Sequence, residues 1–555
     1  MAPTQMRRLE AQQVAELLLE IGRRSSLEGG NPYKARAYIR AAESLRALVF
    51  PLDEVIRRSQ LRALPGIGDA IARRVVELKE KGTDEGLERL RAKYPASLLE
   101  LMNIPRLKPS AVTRLHKELG IANLRQAEEA AREGRLRKVK GLGLTVERQI
   151  LEGAPLARDV QARMRANRAA ELLQSAAEVL RSQGFENITI AGELRRGCEI
   201  VSDLTLVGTS VAATAHTRLA AVGVDLVPPD KLGSALLFAT GSQAHLTQLE
   251  NLARKNGLIL TREGIGKPGG DLRGRTEEEI YRRLGLSFIP PELREGDNEV
   301  ELARARKLPH LVEQQDLKGL LHVHTDFSDG VHSLREMAEA TRARGYRYLG
   351  ITDHSQSAHY AGGLSTDAIL RQHELIDALN DEFGQSFRIL KGIESDIRAD
   401  GSLDYSHDVL ASFDFVVASV HSGFRRAKME QTARIIKAVS NPFSTILGHV
   451  TGRLLLRRAG YDVDMEAILS ACAEYGVAIE INCNPHRLEL DWRWHRRAIE
   501  LGCLLSINPD AHSIRELDLV QWGIAIARKG AVARQSVLNA KSPALLFKHL
   551  QRRRA

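Results

Sequence analysis

Cysteine is scarce in this sequence of 555 residues, which contains four cysteines in all. They stand far apart and form no CxxC pair, so the sequence predicts neither a disulfide framework nor a cysteine zinc site. Their positions are Cys198, Cys472, Cys483 and Cys503. Low cysteine usage of this kind is typical of a reducing compartment, and we expect a cytoplasmic protein.

Long apolar runs are also missing. No stretch approaches the roughly 18 residues that a membrane span needs, and the first residues, MAPTQMRRLEAQQ, lack the continuous apolar segment of a signal peptide. Aromatic residues make up 5% of the chain, against 43% hydrophobic and 27% charged residues, a composition typical of soluble globular proteins. Because apolar runs of this length are missing, we expect no membrane partner.

At about 150 residues per domain, the length indicates three to four domains.

Charge is distributed unevenly along the chain. Residues 1–150 contain 29 Lys and Arg against 19 Asp and Glu, whereas the remaining residues contain 51 of each class. The net charge of +10 therefore lies in the front of the chain, which predicts that this part binds a polyanion, most simply nucleic acid. Histidine shows the opposite bias, because 14 of the 17 histidines lie in residues 301–555. These biases indicate nucleic-acid binding at the front and metal chemistry at the back.

Hydrophobic periodicity predicts different structures along the chain. Residues 8–155 carry apolar side chains at three- and four-residue intervals, as in VAELLLEIG, which predicts helices. Residues 160–297 combine a helical segment with short strands such as ITIAG. Residues 298–315 are charged and lack a strand pattern, so we interpret them as a linker. From residue 317, short apolar strands alternate with helices, which is typical of a parallel α/β architecture.

Short glycine turns lie between helical segments of the basic front. Residues 64–68 read LPGIG and residues 141–143 read GLG, whereas Arg106 and Lys108 replace both glycines where another copy would fall. Glycines let backbone N–H groups approach an anion at a helix N-terminus. The turns resemble the DNA-binding helix–hairpin–helix motif, with a plain connecting turn as the alternative. The resemblance implies contacts with the DNA backbone, without base reading, at Gly66, Gly68, Gly141 and Gly143.

The segment EGGNPYKARAY at residues 28–38, followed by the first glycine turn, resembles the amino-terminal domain of family X DNA polymerases. In DNA polymerase beta, that domain also has a lyase activity that uses a lysine Schiff base. Here Ala70 and Arg74 stand at the matching positions instead of lysines. Because arginine stays protonated and cannot serve as an amine nucleophile, the substitutions argue against a lyase activity.

Residues 192–205 resemble the palm of the same polymerase family. There a Gly-Ser-x-Arg-Arg-Gly loop holds the incoming triphosphate, and an Asp-x-Asp pair on a strand binds two magnesium ions. This sequence has GELRRG from Gly192 and SDLT from Ser202. Residues i and i+2 of a strand point to one face, so Thr205 removes the second carboxylate of the pair. Glu193 adds a negative charge where the family serine would face a phosphate.

Other polymerase signals are partly retained. The sequence VDL around Asp225 resembles the third family carboxylate, FATGS at residues 238–242 resembles the nucleotide-pocket segment with one aromatic lost, and residues 276–294 match the end of the domain. These departures predict polymerase activity that is very weak or absent, with a vestigial site at Arg196, Asp203 and Asp225. The alternative is that Asp203, Asp225 and an unrecognised third ligand still bind Mg²⁺. The sequence leaves open whether this region binds nucleotides.

Metal-capable side chains follow six of the seven strands predicted after residue 317. In a parallel barrel all strand ends open on one face, so side chains that are distant in sequence converge there. A single histidine is usually structural, but clusters of histidine and carboxylate are the expected ligands of zinc, manganese or iron. The strand ends carry His322 and His324 with Asp329 a few residues on, Asp353 and His354, Glu394, His421, His449, and Asp510 with His512.

The arrangement resembles the polymerase-and-histidinol-phosphatase (PHP) domain, a seven-stranded metallophosphoesterase barrel. The resemblance implies three divalent ions, with manganese favoured and zinc or iron as alternatives, and Glu394 as the expected bridge between two ions. We interpret Asp353 as a catalytic residue or as an orienting group behind the ligands. Lys391, Arg453 and Arg457 could pair with substrate phosphates, or they are solvated surface charges. The nine family ligand positions match His322, His324, Asp329, His354, Glu394, His421, His449, Asp510 and His512.

Over nearly its whole length, the sequence resembles the bacterial DNA polymerase X (PolX) family. The resemblance implies an all-α helix–hairpin–helix front, an α/β nucleotidyltransferase-like palm and thumb, and a (β/α)₇ PHP barrel at the C-terminus. The expected domains are a polymerase-beta-like helical DNA-binding domain at residues 1–95, a fingers-like helix–hairpin–helix domain at 96–157, a degenerate palm and thumb at 158–297, the linker at 298–315 and the barrel at 316–555.

The family resemblance implies a DNA repair protein whose barrel hydrolyses DNA phosphodiesters as a 3′–5′ exonuclease. End processing and abasic-site cleavage are further implied activities. The expected partner is gapped or 3′-ended DNA, bound through its backbone, and we expect a monomer. The alternatives are an active gap-filling polymerase with the barrel as editor, a non-catalytic DNA scaffold, and a small-molecule phosphatase like histidinol phosphatase.

Overall fold

The computed structural model describes residues 9, 11–29, 32–46, 52–57, 61–64, 66–104, 107–210, 215–219 and 222–551. The sequence motifs at the front lie partly outside these residues, at Gly30 and Asn31, at Pro65, and at Pro105 and Arg106. The chain forms two compact units, Met1–Arg163 and Met164–Ala555. In the part of the chain that the structure describes, no helix has both the length and the apolar character needed to cross a membrane.

The first unit is helical throughout its described residues. Apolar side chains three or four positions apart, such as Val14, Leu18 and Ile21, are fully buried in its core. Side-chain caps fix helix starts, as at Asp84, which accepts a hydrogen bond of 2.7 Å from the N–H of Leu87. The helices are α1 (Ala11–Glu28), α2 (Pro32–Arg46), α3 (Leu52–Arg57), α4 (Asp69–Lys81), α5 (Glu85–Lys93), α6 (Leu98–Leu101), α7 (Pro109–Leu119), α8 (Leu124–Arg132) and α9 (Leu144–Ala162).

The second unit begins with a mixed α/β part, which we call the middle region. Its strands are β1 (Met164–Arg165), β2 (Glu186–Ile190), β3 (Ile200–Val201), β4 (Thr205–Thr209), β5 (Ala215–Leu219), β6 (Val222–Val227), β7 (Ile259–Thr261) and β8 (Gly264–Gly266). Its α-helices are α10 (Ala166–Ser182), α11 (Gly192–Arg195), α12 (Leu232–Thr240), α13 (Gln243–Lys255), α14 (Glu277–Arg283) and α15 (Glu299–Arg304).

The main sheet of the middle region has the strand order β2-β4-β6-β5. The central strands β4 and β6 are parallel, and the two outer pairs are antiparallel. Helix α10 packs on this sheet, with Leu173 and Leu180 in one apolar cluster with Leu206 and Val224. Asp203 and Thr205, at the positions of the family's Asp-x-Asp pair, lie at the start of β4, next to Gly192 at the start of α11.

The residues predicted as a linker, 298–315, include helix α15. Its Val300 and Ala303 are buried in the same apolar cluster as Leu249 and Tyr281 of the preceding helices. This packing joins the start of the segment to the middle region. The boundaries of the expected domains stay predictions.

The rest of the second unit is a parallel barrel. Within the described residues 316–551 its strands are β9 (Gly319–Val323), β10 (Tyr348–Ile351), β11 (Arg388–Asp396), β12 (Phe415–Ser419), β13 (Ser444–Leu447), β14 (Ala478–Asn482) and β15 (Leu505–Asn508). The α-helices are α16 (Leu334–Ala343), α17 (Thr366–Phe383), α18 (His407–Ala411), α19 (Lys428–Val439), α20 (Met465–Tyr475), α21 (His495–Glu500), α22 (Val520–Lys529) and α23 (Pro543–Gln551).

The seven barrel strands are parallel neighbours in chain order. A parallel bridge between Val323 and Ala511 joins the first strand to the segment after the last, so the sheet nearly closes. The strands are buried on both faces, as in other parallel sheets. Inside the barrel, Leu390 and Val417 share an apolar cluster with Leu546 of α23. The predicted succession of seven strands is confirmed.

Candidate metal centre

The predicted ligand side chains gather at the carboxyl ends of the barrel strands. His322 lies in β9 and Glu394 in β11, and each of the others follows the end of a strand. Since parallel strands all end on one face of a barrel, residues separated by almost two hundred positions meet there. The residues that follow strand ends are His324 and Asp329 after β9, His354 after β10, His421 after β12, His449 after β13, and Asp510 and His512 after β15.

The cluster contains three overlapping groups, and the ligand atoms of each group lie within 4.8 Å of one another. His324 and His354 each belong to two groups, so the groups adjoin. His449 lies beside the third group, with its Nε2 atom 2.9 Å from Oε1 of Glu394. The groups are His324, Asp329, His354 and His512; His322, His324 and Asp510; and His354, Glu394 and His421.

Glu394 lies at the centre of the cluster and is almost completely buried. Its Oε1 atom is 3.3 Å from Nε2 of His421 and 3.5 Å from Nε2 of His322. Its Oε2 atom is 2.9 Å from Nδ1 of His354. The two carboxylate oxygens thus face different histidines, which is the arrangement that a carboxylate bridging two ions requires.

Several buried ring nitrogens have no hydrogen-bond partner among the described residues. In the cluster they include Nε2 of His322 and both ring nitrogens of His324. Leaving a buried polar atom unsatisfied is costly, and each such atom in a native structure needs an explanation. A cation at this place would use the free lone pairs, since neutral imidazole nitrogen is a common metal ligand. The donor set therefore fits a group of divalent metal ions.

Carboxylates behind the histidines fix the orientation of the rings. Nδ1 of His322 donates to Oε1 of Glu480 at 2.6 Å, and Nδ1 of His421 donates to Oδ1 of Asp396 at 2.5 Å. With Nδ1 held by a carboxylate, Nε2 points into the cluster, and it would offer its lone pair to an ion that displaces its proton. Neither carboxylate was predicted from the sequence. Asp396 stands two positions after Glu394 on the same strand, and this period-two spacing was a usable signal.

Glu480 connects several barrel strands below the cluster and is fully buried. Besides His322, its Oε1 atom accepts from Nδ2 of Asn508 at 3.0 Å. Its Oε2 atom accepts from the backbone N–H of His449 at 2.7 Å and from Nδ2 of Asn482 at 3.2 Å. Glu480 thereby positions two predicted ligands from different strands.

The carboxyl groups of the cluster are ionised despite their burial. Burial raises the pKa of Glu394, but the surrounding histidines outweigh burial and hold this pKa well below its ordinary value. The same balance lowers the pKa of Asp510. Burial, together with the nearby His512, lowers the pKa of His324 to about 3, so this ring is neutral. Ionised carboxylates and neutral imidazoles are the forms that bind divalent cations.

Comparison with known proteins agrees with this picture. Models of a helix-hairpin-helix domain, of the DNA polymerase beta thumb and of the PHP domain match residues 10–84, 235–295 and 321–484, respectively. A Bacillus subtilis (strain 168) protein named DNA polymerase/3′-5′ exonuclease PolX is 35% identical, over 95% of this chain and 97% of its own length. The chain belongs to the PolX family. The predicted family and the predicted fold class are thus confirmed.

Shorter relatives match part of this PolX chain. A probable phosphatase of Thermoanaerobacter sp. (strain X514) is 27% identical over 39% of the chain and 88% of its own length. A probable phosphatase of Shewanella sp. (strain MR-4) is 27% identical over 42% of the chain and 90% of its own length. The matched PHP domain makes this PolX chain a metal-dependent phosphoesterase by family.

Asp353, predicted as catalytic or orienting, lies behind the cluster and is fully buried. Its carboxylate accepts from the N–H and Oγ1 of Thr325 at 2.8 and 2.7 Å, from Oγ of Ser328 at 2.5 Å and from Nε2 of Gln372 at 2.7 Å. Burial raises its pKa, although these hydrogen bonds oppose the rise. These contacts hold Thr325 and Ser328 of the loop that carries Asp329, and the role of Asp353 as a catalytic or an orienting residue stays a prediction.

The predicted phosphate loop of the middle region binds its own backbone. Oε2 of Glu193 accepts from the N–H and Oγ of Ser202 at 2.6 and 2.8 Å. The guanidinium of Arg196 donates to Oε1 of Glu295 at 2.9 Å and to the carbonyl of Thr240 at 2.6 Å. Lys529 of the barrel donates to the same carboxylate oxygen of Glu295 at 2.5 Å. Arg196 is therefore part of a contact between the middle region and the barrel.

The two predicted carboxylates of the middle region make contacts within the protein. Oδ1 of Asp203 accepts from Oγ1 of Thr205 at 2.8 Å. The carboxylate of Asp225 lies 2.6 Å from Nδ1 of His216 and also pairs with the guanidinium of Arg262. Within the described residues, every group of three or more metal-capable side chains lies in the barrel.

The glycine turns of the front unit have the backbone that the motif requires. Gly66 and Gly141 adopt φ values of +82° and +87°, in the left-handed region that favours glycine. Gly68 and Gly143 have open space where a Cβ atom would stand. Their role in DNA binding stays a prediction. Arg74, at a lyase lysine position, donates to the hydroxyl of Tyr38 at 2.5 Å and pairs with a buried aspartate at the start of α5.

Proposed function

We propose that this PolX protein is a 3′–5′ DNA exonuclease that hydrolyses phosphodiesters in the barrel with three divalent ions, manganese being the favoured metal. The observation that carries the proposal is the convergence of nine ligand-type side chains, eight of them in three adjoining groups and the ninth, His449, beside the third group. The Bacillus subtilis relative, whose printed name includes 3′-5′ exonuclease, supports the same assignment. Zinc or iron are the alternative ions, and end processing or abasic-site cleavage are related activities of the same site.

Each part of the cluster has a defined task in this proposal. Bound divalent ions would supply an ionised water near neutral pH and would neutralise the phosphate oxygens under attack. Glu394 would bridge two ions through its separate oxygens, while Glu480 and Asp396 hold imidazole rings in the ligating tautomer. Asp353 fixes the loop of Asp329.

The remaining domains would bring DNA to this site. The basic front, with its helix-hairpin-helix match at residues 10–84, would bind the DNA backbone through Gly66, Gly68, Gly141 and Gly143. We assign these contacts to domains at residues 1–95 and 96–157, followed by a degenerate palm and thumb at 158–297. We further propose that the protein is a monomer, that it is cytoplasmic, and that it acts on gapped or 3′-ended DNA.

We further infer that the polymerase activity is weak or lost. Thr205 stands where the family has a metal-binding aspartate, and Glu193 holds a carboxylate against the backbone where the family binds a phosphate. The pairing of Asp225 with Arg262 adds a competing cation inside the site. Removal of one charge-stabilising group typically costs on the order of 10²–10³ in rate, and here two groups differ.

The nuclease proposal is tested with 5′-labelled single-stranded and gapped DNA in the presence of Mn²⁺. We expect stepwise shortening from the 3′ end, abolished by a chelator. His322→Ala combined with Asp510→Ala should lower the rate by about 10³-fold or more while DNA binding persists. His407→Ala, an exposed histidine at the start of α18, serves as the matched control. DNA binding without hydrolysis by the unaltered protein would support the non-catalytic scaffold instead.

The polymerase inference is tested by primer extension on gapped DNA. We expect little or no dNTP incorporation, and no further loss in Asp203→Ala. Robust incorporation that Asp203→Ala abolishes would overturn the inference and favour a gap-filling polymerase with the barrel as editor.

The relatives named probable phosphatases favour one second candidate, hydrolysis of small phosphomonoesters. Parallel assays with p-nitrophenyl phosphate and with labelled DNA separate the two. A kcat/KM for the monoester that exceeds the value for DNA would favour the phosphatase.

A further inference from the structure

We propose that Arg487 is a substrate-contacting residue of the barrel, and that its guanidinium binds the phosphodiester group that is hydrolysed. This inference rests on the proposed function, since it adds a residue to the hydrolytic site. Arg487 is neither one of the predicted ligands nor one of the carboxylates that orient them, and no pattern in the sequence singles it out.

Arg487 lies in a tightly turned loop that follows β14 at the open end of the barrel. The carbonyl of Asn484 accepts from the N–H groups of Arg487 at 2.7 Å and Leu488 at 3.0 Å. Leu488 adopts a φ of +42°, which leucine rarely does, and its side chain is buried. The neighbouring His486 contacts Arg165 of β1, so the loop is also held from the middle region. Packing and hydrogen bonds thus fix the direction of Arg487.

The Arg487 side chain approaches one of the predicted metal ligands. Its Nε atom is 3.9 Å from Oδ2 of Asp510, and its Nη1 atom is 3.7 Å from Oε1 of Glu489. The other oxygen of Asp510, Oδ1, faces Nε2 of His324 at 3.3 Å and Nε2 of His322 at 3.5 Å. The guanidinium is therefore adjacent to the cluster, on the side of Asp510 that the histidines leave free.

A closer donor already binds the Asp510 oxygen beside Arg487, since Oδ2 of Asp510 accepts from Nδ2 of Asn482 at 3.0 Å. Glu489 accepts from the N–H of Thr451 at 2.8 Å through Oε2, while its Oε1, on the side of Arg487, has no hydrogen-bond partner among the described residues. Distances of 3.7 and 3.9 Å exceed the length of a hydrogen bond. These contacts therefore leave the N–H donors of Arg487 available to an anion, and its side chain is 21% exposed.

Two of the basic residues considered from the sequence are engaged elsewhere. Nε of Arg453 donates to the carbonyl of Arg487 at 2.8 Å, and its Nη1 donates to Oδ2 of Asp491 at 2.9 Å. Arg453 thereby supports the loop that carries Arg487. Nζ of Lys391 donates to Oδ2 of Asp377 on helix α17 at 2.7 Å. These contacts favour Arg487 over both residues as the phosphate contact.

The chemistry of the guanidinium suits this role. It is planar, always charged, and able to donate to two oxygens of one phosphate. Because negative charge grows on those oxygens during attack at phosphorus, an arginine contact stabilises the transition state more than the bound substrate. Loss of the contact should therefore lower kcat more than it raises KM.

The test compares Arg487→Met and Arg487→Lys with the unaltered full-length protein on a 5′-labelled single-stranded oligonucleotide. We expect Arg487→Met to lower kcat by about 10²-fold, with KM, DNA binding and metal content nearly unchanged. Arg487→Lys, which keeps the charge without the planar fork, should lie between the two. Arg496→Met removes the same charge from an exposed position on α21, where this arginine pairs with Glu500, and should change kcat less than about threefold.

Three results would contradict the inference. A kcat for Arg487→Met within about threefold of the unaltered protein would exclude a phosphate contact. Loss of bound metal in Arg487→Met and Arg487→Lys would show that Arg487 supports Asp510 instead. An unaltered protein that binds Mn²⁺ and DNA but hydrolyses nothing would overturn the proposed function, and this inference with it.

Discussion

The barrel and the middle region both place carboxylates beside strand ends, yet they compensate these charges in different ways. In the barrel, Glu394 and Asp510 face imidazoles, and His322 and His324 have buried ring nitrogens that lack hydrogen-bond partners among the described residues. In the middle region, Asp225 pairs with Arg262 of the β7–β8 turn and with His216 of the neighbouring strand β5. The barrel has imidazole nitrogens and carboxylates that could bind a metal ion, whereas in the middle region the guanidinium of Arg262 already neutralises Asp225.

The difference agrees with the proposed loss of the polymerase site within a fold that is still recognisable. The middle region forms a four-stranded sheet, and residues 235–295 match the family model of the thumb. The main departures from the family motif alter charge, at Glu193 and Thr205, and one aromatic residue of the nucleotide-pocket segment is also lost. In the barrel, the ligands and the carboxylates behind them are all present. A fold is held by many buried contacts, but a metal site depends on a few charges.

The largest predicted effect is a gain of polymerase activity when the charge pattern of the middle region is altered. Glu193→Ser combined with Thr205→Asp restores the family charge pattern, and we expect dNTP incorporation on gapped DNA to rise by about 10²-fold over the unaltered protein. Glu193→Ser with Thr205→Asn is the matched control, because it has the same shape without the second carboxylate. Equal rates for both variants would mean that charge is not what separates the two regions.

A smaller effect is expected from Glu480, the carboxylate that positions two ligands of the barrel. Glu480→Gln weakens the hydrogen bond that fixes the His322 ring, and we expect the affinity for Mn²⁺, measured by calorimetry, to fall about 10–100-fold. Glu382→Gln alters an exposed glutamate paired with an arginine on the barrel surface and should have no effect. Unchanged affinity in Glu480→Gln would contradict the positioning role of this residue.

The smallest effect is a dependence of metal binding on pH. Burial lowers the pKa of His421, but Glu394 and Asp396 outweigh it and raise this pKa to about 10. Burial also opposes the protonation of His512, and Asp329 is the main group that raises its pKa to about 9. Both rings are therefore in the doubly protonated, positively charged form at neutral pH in the metal-free protein. An ion that binds to them must displace one proton from each ring.

This displacement fixes the sign of the pH effect. The affinity for Mn²⁺ should increase from about pH 6 to about pH 8, and binding should release protons into a weakly buffered solution that contains an indicator dye. His407→Ala should leave the proton release unchanged, because this exposed side chain lies outside the cluster. Metal affinity that is independent of pH would contradict protonated His421 and His512 rings in the metal-free protein.

Much of the barrel site could be predicted because it follows from one geometric rule. Parallel strands end on one face, so a histidine or carboxylate after each strand predicts a shared cluster. Glu480 was missed because its sequence neighbourhood does not show whether this glutamate of an apolar strand is buried beneath the site or exposed at the edge of the sheet. Arg487 was missed because its position depends on the turn of one loop.

The middle region was harder to interpret from sequence for a related reason. The substitutions at Glu193 and Thr205 could be recognised by comparison with the family motif. The partners of Asp225, His216 and Arg262, lie on other strands or loops, and nothing in their own sequence neighbourhood indicates the pairing. The packing of α15 was missed because its two buried side chains, Val300 and Ala303, stand among charged residues.

The most direct measurement is the metal content of the full-length protein, determined by elemental analysis after loading with Mn²⁺ and dialysis, beside that of Glu394→Gln. We expect about three ions per chain in the unaltered protein and at least one fewer in the variant, because the bridging carboxylate is lost. An unaltered protein that retains no ions, or a variant with the same content, would contradict the claim that these side chains form one metal centre.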